Sequence, residues 1–283
     1  TVFEVPLSIA ASRINEVLTR FTGNDKKPNL SKWKKIVAAQ TKKHDKRVSV
    51  GLVAKYMDNE DTYLSVLEAL KAAGWAEDLG VDIVWINAET ATDHDFKKVN
   101  ALLVPGGFGG RGIPGKIAAA TYALKYKKPY LGLCLGLQVA VIAAARRAGL
   151  TNANSTEFDP STEHNVVYIM EGQQGKESTG GTLRLGGYEA KLQPGSTVAR
   201  TYKKTKVTER HRHRYEVNQE FADAITKGGL TISGTSPDGK LVEYVEASNG
   251  SYFVATQAHP EFTSRPHRAH PLFVELIRAA ANK

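Results

Sequence analysis

The strongest constraint in this chain is the run Tyr130-Leu131-Gly132-Leu133-Cys134-Leu135-Gly136-Leu137-Gln138, which sets the only cysteine between two glycines. Apolar residues lead into it as into a buried strand, and Val139-Ala140-Val141-Ile142-Ala143-Ala144-Ala145 continues it as a buried helix. A side chain carried on so sharp a strand-to-helix turn needs small neighbours, because the backbone there is strained and the packing close. The following helix points its free N–H groups and the positive end of its dipole at the sulfur. Both favour thiolate, the nucleophilic form. The competing reading is a buried structural cysteine, a common core residue. The flanking glycines and the switch from strand to helix favour the nucleophile.

The surrounding pattern has the same character. The nearly all-apolar run Val48 to Ala54 predicts a strand covered on both faces. A helix is expected over 62–73, strands over 81–87 and 101–104, a helix over 114–126, and then the strand into Cys134. Strands alternating with helices mean βαβ units: an α/β fold with a mostly parallel central sheet flanked by helices. Ligands of such sheets bind beyond the carboxyl ends of the strands. Cys134 stands at one such end and Pro105-Gly106-Gly107-Phe108-Gly109-Gly110-Arg111-Gly112 at another. Further strands are predicted over 166–170, 181–192, 196–201, 205–209, 230–234, 241–246 and 252–257, with helices over 219–226 and 271–281.

Residues 1–45 differ from 46–283 and form a separate arm. Ile9, Ile14, Val17, Leu18 and Phe21 make a short helical stripe with Ser8 as its expected cap, broken at Gly23-Asn24-Asp25 and Pro28. A second helix starting near Asn29 or Ser31 should bury Trp33, Ile36 and Val37. Neither has enough apolar surface to fold alone, so the arm is expected to dock on something. A start at Thr1 rather than methionine leads us to expect a piece of a longer protein.

The net charge of +9 is concentrated between Lys26 and Arg47, where nine Lys and Arg face one acid, Asp45. That basic linker is a solvated face or a contact to another domain rather than a nucleic-acid reader, since no groove-reading motif accompanies it. A single cysteine excludes an internal disulfide framework and suggests a reducing, cytoplasmic setting. No apolar run approaches the roughly 18 residues of a membrane span.

A cysteine nucleophile needs a base, and the base an orienting group. Among eight histidines, His44, His94 and His164 have polar surroundings and are expected at the surface. His267 and His270 precede the last helix, where capping or solvent contact fits better. His211 and His213 alternate with Arg210, Arg212 and Arg214, placing histidines on one strand face and arginines on the other. His259 is the best candidate, at the end of a buried strand with Glu261 two residues on. In extended backbone the carboxylate can then meet the imidazole, and Pro260 disfavours helical geometry at His259. A plain His-Pro-Glu turn without chemistry is the competing reading. Oxyanion donors are expected from the N–H of Leu135 and from Gly106-Gly107. The glycine-rich loop lacks the ending and spacing of a phosphate loop, and scattered histidines offer no metal-ligand spacing.

Together, Pro-Gly-Gly-Phe-Gly, Gly-x-Cys-x-Gly-x-Gln and His-Pro-Glu resemble the class I glutamine amidotransferases, with their flavodoxin-like fold. More narrowly, the chain is similar to the glutaminase half of the CTP synthases. That match rests on segments 61–70, 106–112, 129–138, 152–158, 180–186, 209–218 and 259–266, and above all on Arg-His-Arg-His-Arg-Tyr-Glu-Val-Asn and Asn-Ser-Thr-Glu-Phe. Two departures stand out: Ala54 replaces a usual glycine before Lys55-Tyr56, and Leu137 a usual methionine.

The resemblance implies glutamine hydrolysis at Cys134, with His259 as base and then acid and Glu261 orienting it. Gly107 and Leu135 would hold the oxyanion. Glutamine contacts would come from Gly107, Leu135, Gly136, Leu137, Gln138, Glu157 and Arg214. It further implies a partner synthetase domain outside these residues that uses ATP and Mg²⁺ to aminate UTP, GTP as activator near Phe108 and Arg111, and a homotetramer when full-length. No cofactor is expected in this piece. The rival enzyme readings are the glutaminase of another amidotransferase and a γ-glutamyl hydrolase. A non-enzymatic scaffold whose basic arm binds a partner or RNA is the rival outside enzymes.

Overall fold

The computed structural model of the chain describes residues 2–170, 175 and 183–282. The arm holds three short helices, α1 (Val5–Ala11), α2 (Ile14–Thr22) and α3 (Ser31–Thr41). Ser8 lies inside α1 and not at its cap, because Pro6 in the first turn starts the helix earlier. Gly23 ends α2 in the left-handed region (φ 67°), as expected of a helix-stopping glycine. Of the second helix only Ile36 is fully buried, while Trp33 and Val37 are half-buried. Val5, Ile9, Ile14, Val17, Leu18 and Phe21 remain exposed, Phe21 by 89%. Phe3 meets Trp75 edge-on, with ring centroids 5.7 Å apart.

The α/β part begins at β1 (Arg47–Ala54), followed by α4 (Leu64–Ala76), β2 (Gly80–Asn87) and α5 (Asp93–Lys97). Then come β3 (Ala101–Val104), α6 (Ile113–Tyr126), β4 (Tyr130–Leu133) and α7 (Leu135–Arg147). The second half holds β5 (Asn154–Ser155), β6 (Asn165–Ile169), β7 (Arg184–Leu192), α8 (Thr197–Tyr202), β8 (Lys206–His213) and β9 (Tyr215–Val217). It closes with α9 (Ala222–Lys227), β10 (Leu230–Thr235), β11 (Val242–Ala247), β12 (Phe253–Thr256) and α10 (Pro271–Ala281).

Nine strands form one sheet in the order β2-β1-β3-β4-β12-β11-β10-β7-β8. The first five run parallel, and β11, β10, β7 and β8 extend the sheet in antiparallel pairs. A smaller sheet pairs β5, β6 and β9. Alternate residues of each central strand enter different cores, as period-two side chains must. Val50, Leu52, Leu103 and Leu131 pack with α4 and α10, while Val53, Leu102 and Val104 pack with α6 and α7.

One predicted strand is a helix. Residues 196–201 are rich in β-branched side chains, yet Ser196 caps α8 by accepting from the N–H of Ala199. The Glu246 carboxylate on β11 accepts from the N–H groups of Thr197 and Val198 at 2.8 and 3.0 Å. A carboxylate at a helix N-terminus satisfies orphan donors and the dipole together. The predicted strand from 181 starts at Arg184; residues 181 and 182, with 180 of the motif segment, lie outside the described residues. The His44 side chain, expected at the surface, is largely buried with Nδ1 3.2 Å from Asp78. His164 is half-buried edge-on to Phe221, and His94 is exposed as expected.

Candidate active site

Parallel β4 and β12 end side by side, and the ends carry Cys134 and His259. Cys134 has φ 52° and ψ −102°, a conformation that costs a non-glycine residue about 1–3 kcal/mol. Surrounding packing holds it there. A Cβ on Gly132 would lie 2.6 Å from the Gly136 carbonyl oxygen, and one on Gly136 would lie 2.3 Å from that of Val104. Only glycines allow α7 to start so close to the strands. The Cys134 N–H continues the ladder to Thr256 (2.8 Å), and the side chain is 5% exposed. Its Sγ is 3.9 Å from the Arg212 carbonyl oxygen and 3.8 Å from Gln257 Nε2.

His259 leaves β12 with φ −114° and ψ 75°, outside helical geometry as Pro260 requires. Its Nδ1 lies 2.6 Å from Glu261 Oε1. The route to that contact differs from the extended backbone expected: residues 260–262 form a tight 3₁₀ turn that folds the carboxylate back onto the ring. The Phe262 ring stacks on the imidazole at 5.0 Å. A Cβ on Gly106 would meet the His259 ring at 2.7 Å and Cys134 Cβ at 3.5 Å, so the glycine loop closes over both residues. Burial opposes charge on His259, yet the neighbouring Cys134 and Glu261 outweigh it and hold the imidazole well above its ordinary value.

Gly107 sits against Leu135, where a Cβ would come within 3.3 Å of the leucine side chain. Two buried lysines lie behind this loop. The Lys55 ammonium donates to the Phe108 carbonyl, and Lys116 Nζ is 3.5 Å from that of Pro105. Burial, reinforced by Lys55, pushes Lys116 down to about 7, with Cys134 acting in the opposite sense. Glu157 Oε1 accepts from the Gly109 N–H at 2.6 Å. Burial raises its carboxyl, against the pull of the Gly109 N–H, Lys55 and Arg214.

The structure thus gathers Cys134, His259, Glu261, Gly107 and Leu135 around the strand ends, with Glu157 on the glycine loop and Arg214 close enough to Glu157 to act on its charge. Gln138 is buried on the first turn of α7 and donates to the Tyr215 carbonyl at 3.1 Å, with Gln257 Oε1 at 3.5 Å. Gly136 serves close packing. The Leu137 side chain faces inward on α7, fully buried in the core, and its N–H bonds to the Cys134 carbonyl. Phe108 is 71% exposed, with the Lys55 ammonium 5.1 Å from its ring centre. Arg111 pairs with Glu89 at 2.8 Å and lies over Tyr56.

Sequence reasoning missed Gln257, Lys55 and Lys116. The signal for Lys116 was there: a lone lysine among Ile113, Ile117 and Ala120 on the buried stripe of α6. Gln257 had only its place at a strand end. Among the described residues no group of three His, Cys, Asp or Glu could hold a metal ion, and no helix is long and apolar enough to cross a membrane.

Residues 59–279 match the family Glutamine amidotransferase class-I. A CTP synthase from Methanococcus maripaludis is 44% identical over all of this chain and 55% of its own length. One from Caldanaerobacter subterraneus subsp. tengcongensis is 47% identical over all of this chain and 53% of its own length. The chain therefore spans about half the length of the curated relatives it matches. Among solved structures, the glutaminase domain of the Trypanosoma brucei CTP synthase with bound acivicin is 38% identical, with a TM-score of 0.77. That match covers 83% of this chain and 94% of the other. The strand-end cysteine, the histidine and carboxylate beside it and these matches agree: the chain belongs to the class I glutamine amidotransferases, as a glutaminase domain of the CTP synthase kind.

Proposed function

We propose that this chain hydrolyses glutamine to glutamate and ammonia by a Cys134-His259-Glu261 triad. The observation that carries the reading is Cys134 on its strained turn, facing a histidine that is locked to a buried carboxylate at 2.6 Å. His259, beside the thiol and held by Glu261 at 2.6 Å, is placed to take the Cys134 proton as the sulfur attacks. The Cys134 sulfur attacks the side-chain amide carbon, and the oxygen becomes anionic against the N–H groups of Gly107 and Leu135. His259 gives its proton to the amide nitrogen as the C–N bond breaks, releasing ammonia and leaving a γ-glutamyl thioester. Water then attacks the thioester while His259 takes one of its protons; the collapse breaks the C–S bond, restores the Cys134–His259 pair and releases glutamate, whose new γ-carboxyl gives its proton to solvent or to the ammonia.

Charge assigns the other contacts. Arg214 would take the α-carboxylate of glutamine and Glu157 its α-ammonium, whose arrival offsets the burial that raises Glu157. Gln138, buried beside the nucleophile, would shape the amide pocket together with Gln257. In a full-length protein the ammonia would pass to a synthetase domain that aminates UTP with ATP and Mg²⁺. The name of the relatives, their double length and the exposed apolar side chains of α1 and α2 support this. Those groups belong to that other domain, and no step here runs through them. GTP, as activator, would stack its base on exposed Phe108 and pair its phosphates with Arg111.

Ammonia release from glutamine tests the reading. The wild-type chain should release it and be labelled at Cys134 by a glutamine-analogue electrophile. Cys134→Ala should do neither, and labelling retained in that variant would sink the assignment.

A further inference from the structure

Consecutive residues of β8 hold both ends of the turn that carries His259 and Glu261. The Arg210 carbonyl accepts from the His259 N–H at 2.8 Å, fixing the entry. The Glu209 carboxylate accepts from the Thr263 hydroxyl at 3.0 Å, fixing the exit. Two residues along, the Arg212 carbonyl faces the Cys134 sulfur. One strand therefore sets the position of nucleophile, base and orienting acid together.

Glu209 is itself held from several sides. Its Oε1 accepts from His270 Nε2 at 2.7 Å and from the Tyr202 hydroxyl at 2.9 Å. His270 Nδ1 accepts from the Leu272 N–H at the start of α10, so the ring carries its proton on Nε2 and donates to the carboxylate. Thr263 spans the turn, with its hydroxyl also 3.1 Å from the Pro260 carbonyl. Burial alone would raise the Glu209 carboxyl, but the donors from His270, Tyr202 and Thr263 hold it below its ordinary value. A buried carboxylate with this many donors is a rigid anchor.

We propose that Glu209, acting through Thr263, is a positioning residue for the triad: it holds residues 259–263 so that Glu261 stays on the imidazole. It rests on the glutaminase reading for its kinetic consequence. Its geometric consequence, the state of the His259–Glu261 hydrogen bond, does not.

The test uses this 283-residue chain with Thr263→Val, Thr263→Ser and Glu209→Gln. Removing the threonine hydroxyl should lower kcat for glutamine by about tenfold or more, as displacement of a reacting group does, with KM within about twofold. Thr263→Ser should restore it. In proton NMR the wild type should show a downfield resonance from the His259 Nδ1–H, identified by its loss in His259→Gln. That resonance should shift upfield or broaden away in Thr263→Val and return in Thr263→Ser. Should Glu209→Gln fail to fold, Thr263→Val carries the test alone. Wild-type kcat and an unmoved resonance in Thr263→Val would overturn the proposal. If the wild type releases no ammonia, the glutaminase reading falls, and the resonance still decides for or against the anchor.

Discussion

Two buried polar clusters hang from the inward face of β8, and they answer the same burial in opposite ways. Nearer its start, Glu209 is surrounded by donors from His270, Tyr202 and Thr263 and keeps its charge readily. Further on, His211 and His213 meet Arg184, Glu216 and Glu243. Arg184 bonds Glu243 at 2.7 Å but stands 3.8 Å from Glu216. Neither Glu216 oxygen has a hydrogen bond among the described residues; the nearby His213 Nδ1 is bonded to the Tyr215 carbonyl instead. Burial therefore dominates there. It pushes Glu216 and Glu243 up, and with Arg184 and His259 nearby it takes His211 down to about 3. Donor supply, not depth, decides whether a buried carboxylate is an anchor or a strained charge.

Three substitutions sharpen that contrast. The largest effect is expected from Arg184→Met, which takes from two acids and two imidazoles the guanidinium that lies among them. A loss of about 3–5 kcal/mol near pH 7 is the scale for breaking one side of a buried charged group. The loss should shrink toward pH 5, where both acids accept protons at less cost; a pH-independent loss of thermal stability would break the account. Next, Glu209→Gln should cost about 1–3 kcal/mol at neutral pH, the scale for disrupting a satisfied buried network. Because the folded value of Glu209 is lowered, its stabilisation is present above the ordinary carboxyl value of 4.5 and is lost as pH falls through the folded value. The gap between wild type and variant should close in acid. Smallest is Glu216→Gln, within about 1 kcal/mol of wild type at neutral pH, since the amide mimics the protonated acid. The sign reverses here. A raised folded value gives stability present below 4.5 and lost as pH rises, so this variant should gain on wild type with rising pH. Melting curves at several pH values for both variants give slopes of opposite sign; parallel slopes would break the comparison.

What the sequence made legible follows the range of the interactions involved. The βαβ order was visible because apolar strands and helix stripes are local patterns, and β1 to β4 fall within a residue or two of where they were expected. Cys134 and the His259–Glu261 pair were legible because each carries its own turn chemistry within a few residues. The strand predicted over 196–201 failed because Glu246, some fifty residues away, supplies the N–H acceptors that make a helix there. The roles of Gln257, Lys116 and Glu209 are set by partners on other elements. The alternation of β8 did place His211 and His213 together on one face; that this face is buried, and what the two histidines meet there, depends on other elements.

The central claim is that Cys134, paired with His259, is the nucleophile of a glutaminase. Mass spectrometry of the chain after exposure to a glutamine-analogue electrophile measures it directly, because Cys134 is the only thiol. One adduct at Cys134, formed by the wild type, slowed by excess glutamine and strongly reduced in His259→Gln, is the predicted result. Labelling at equal rate in His259→Gln and unaffected by glutamine would contradict it.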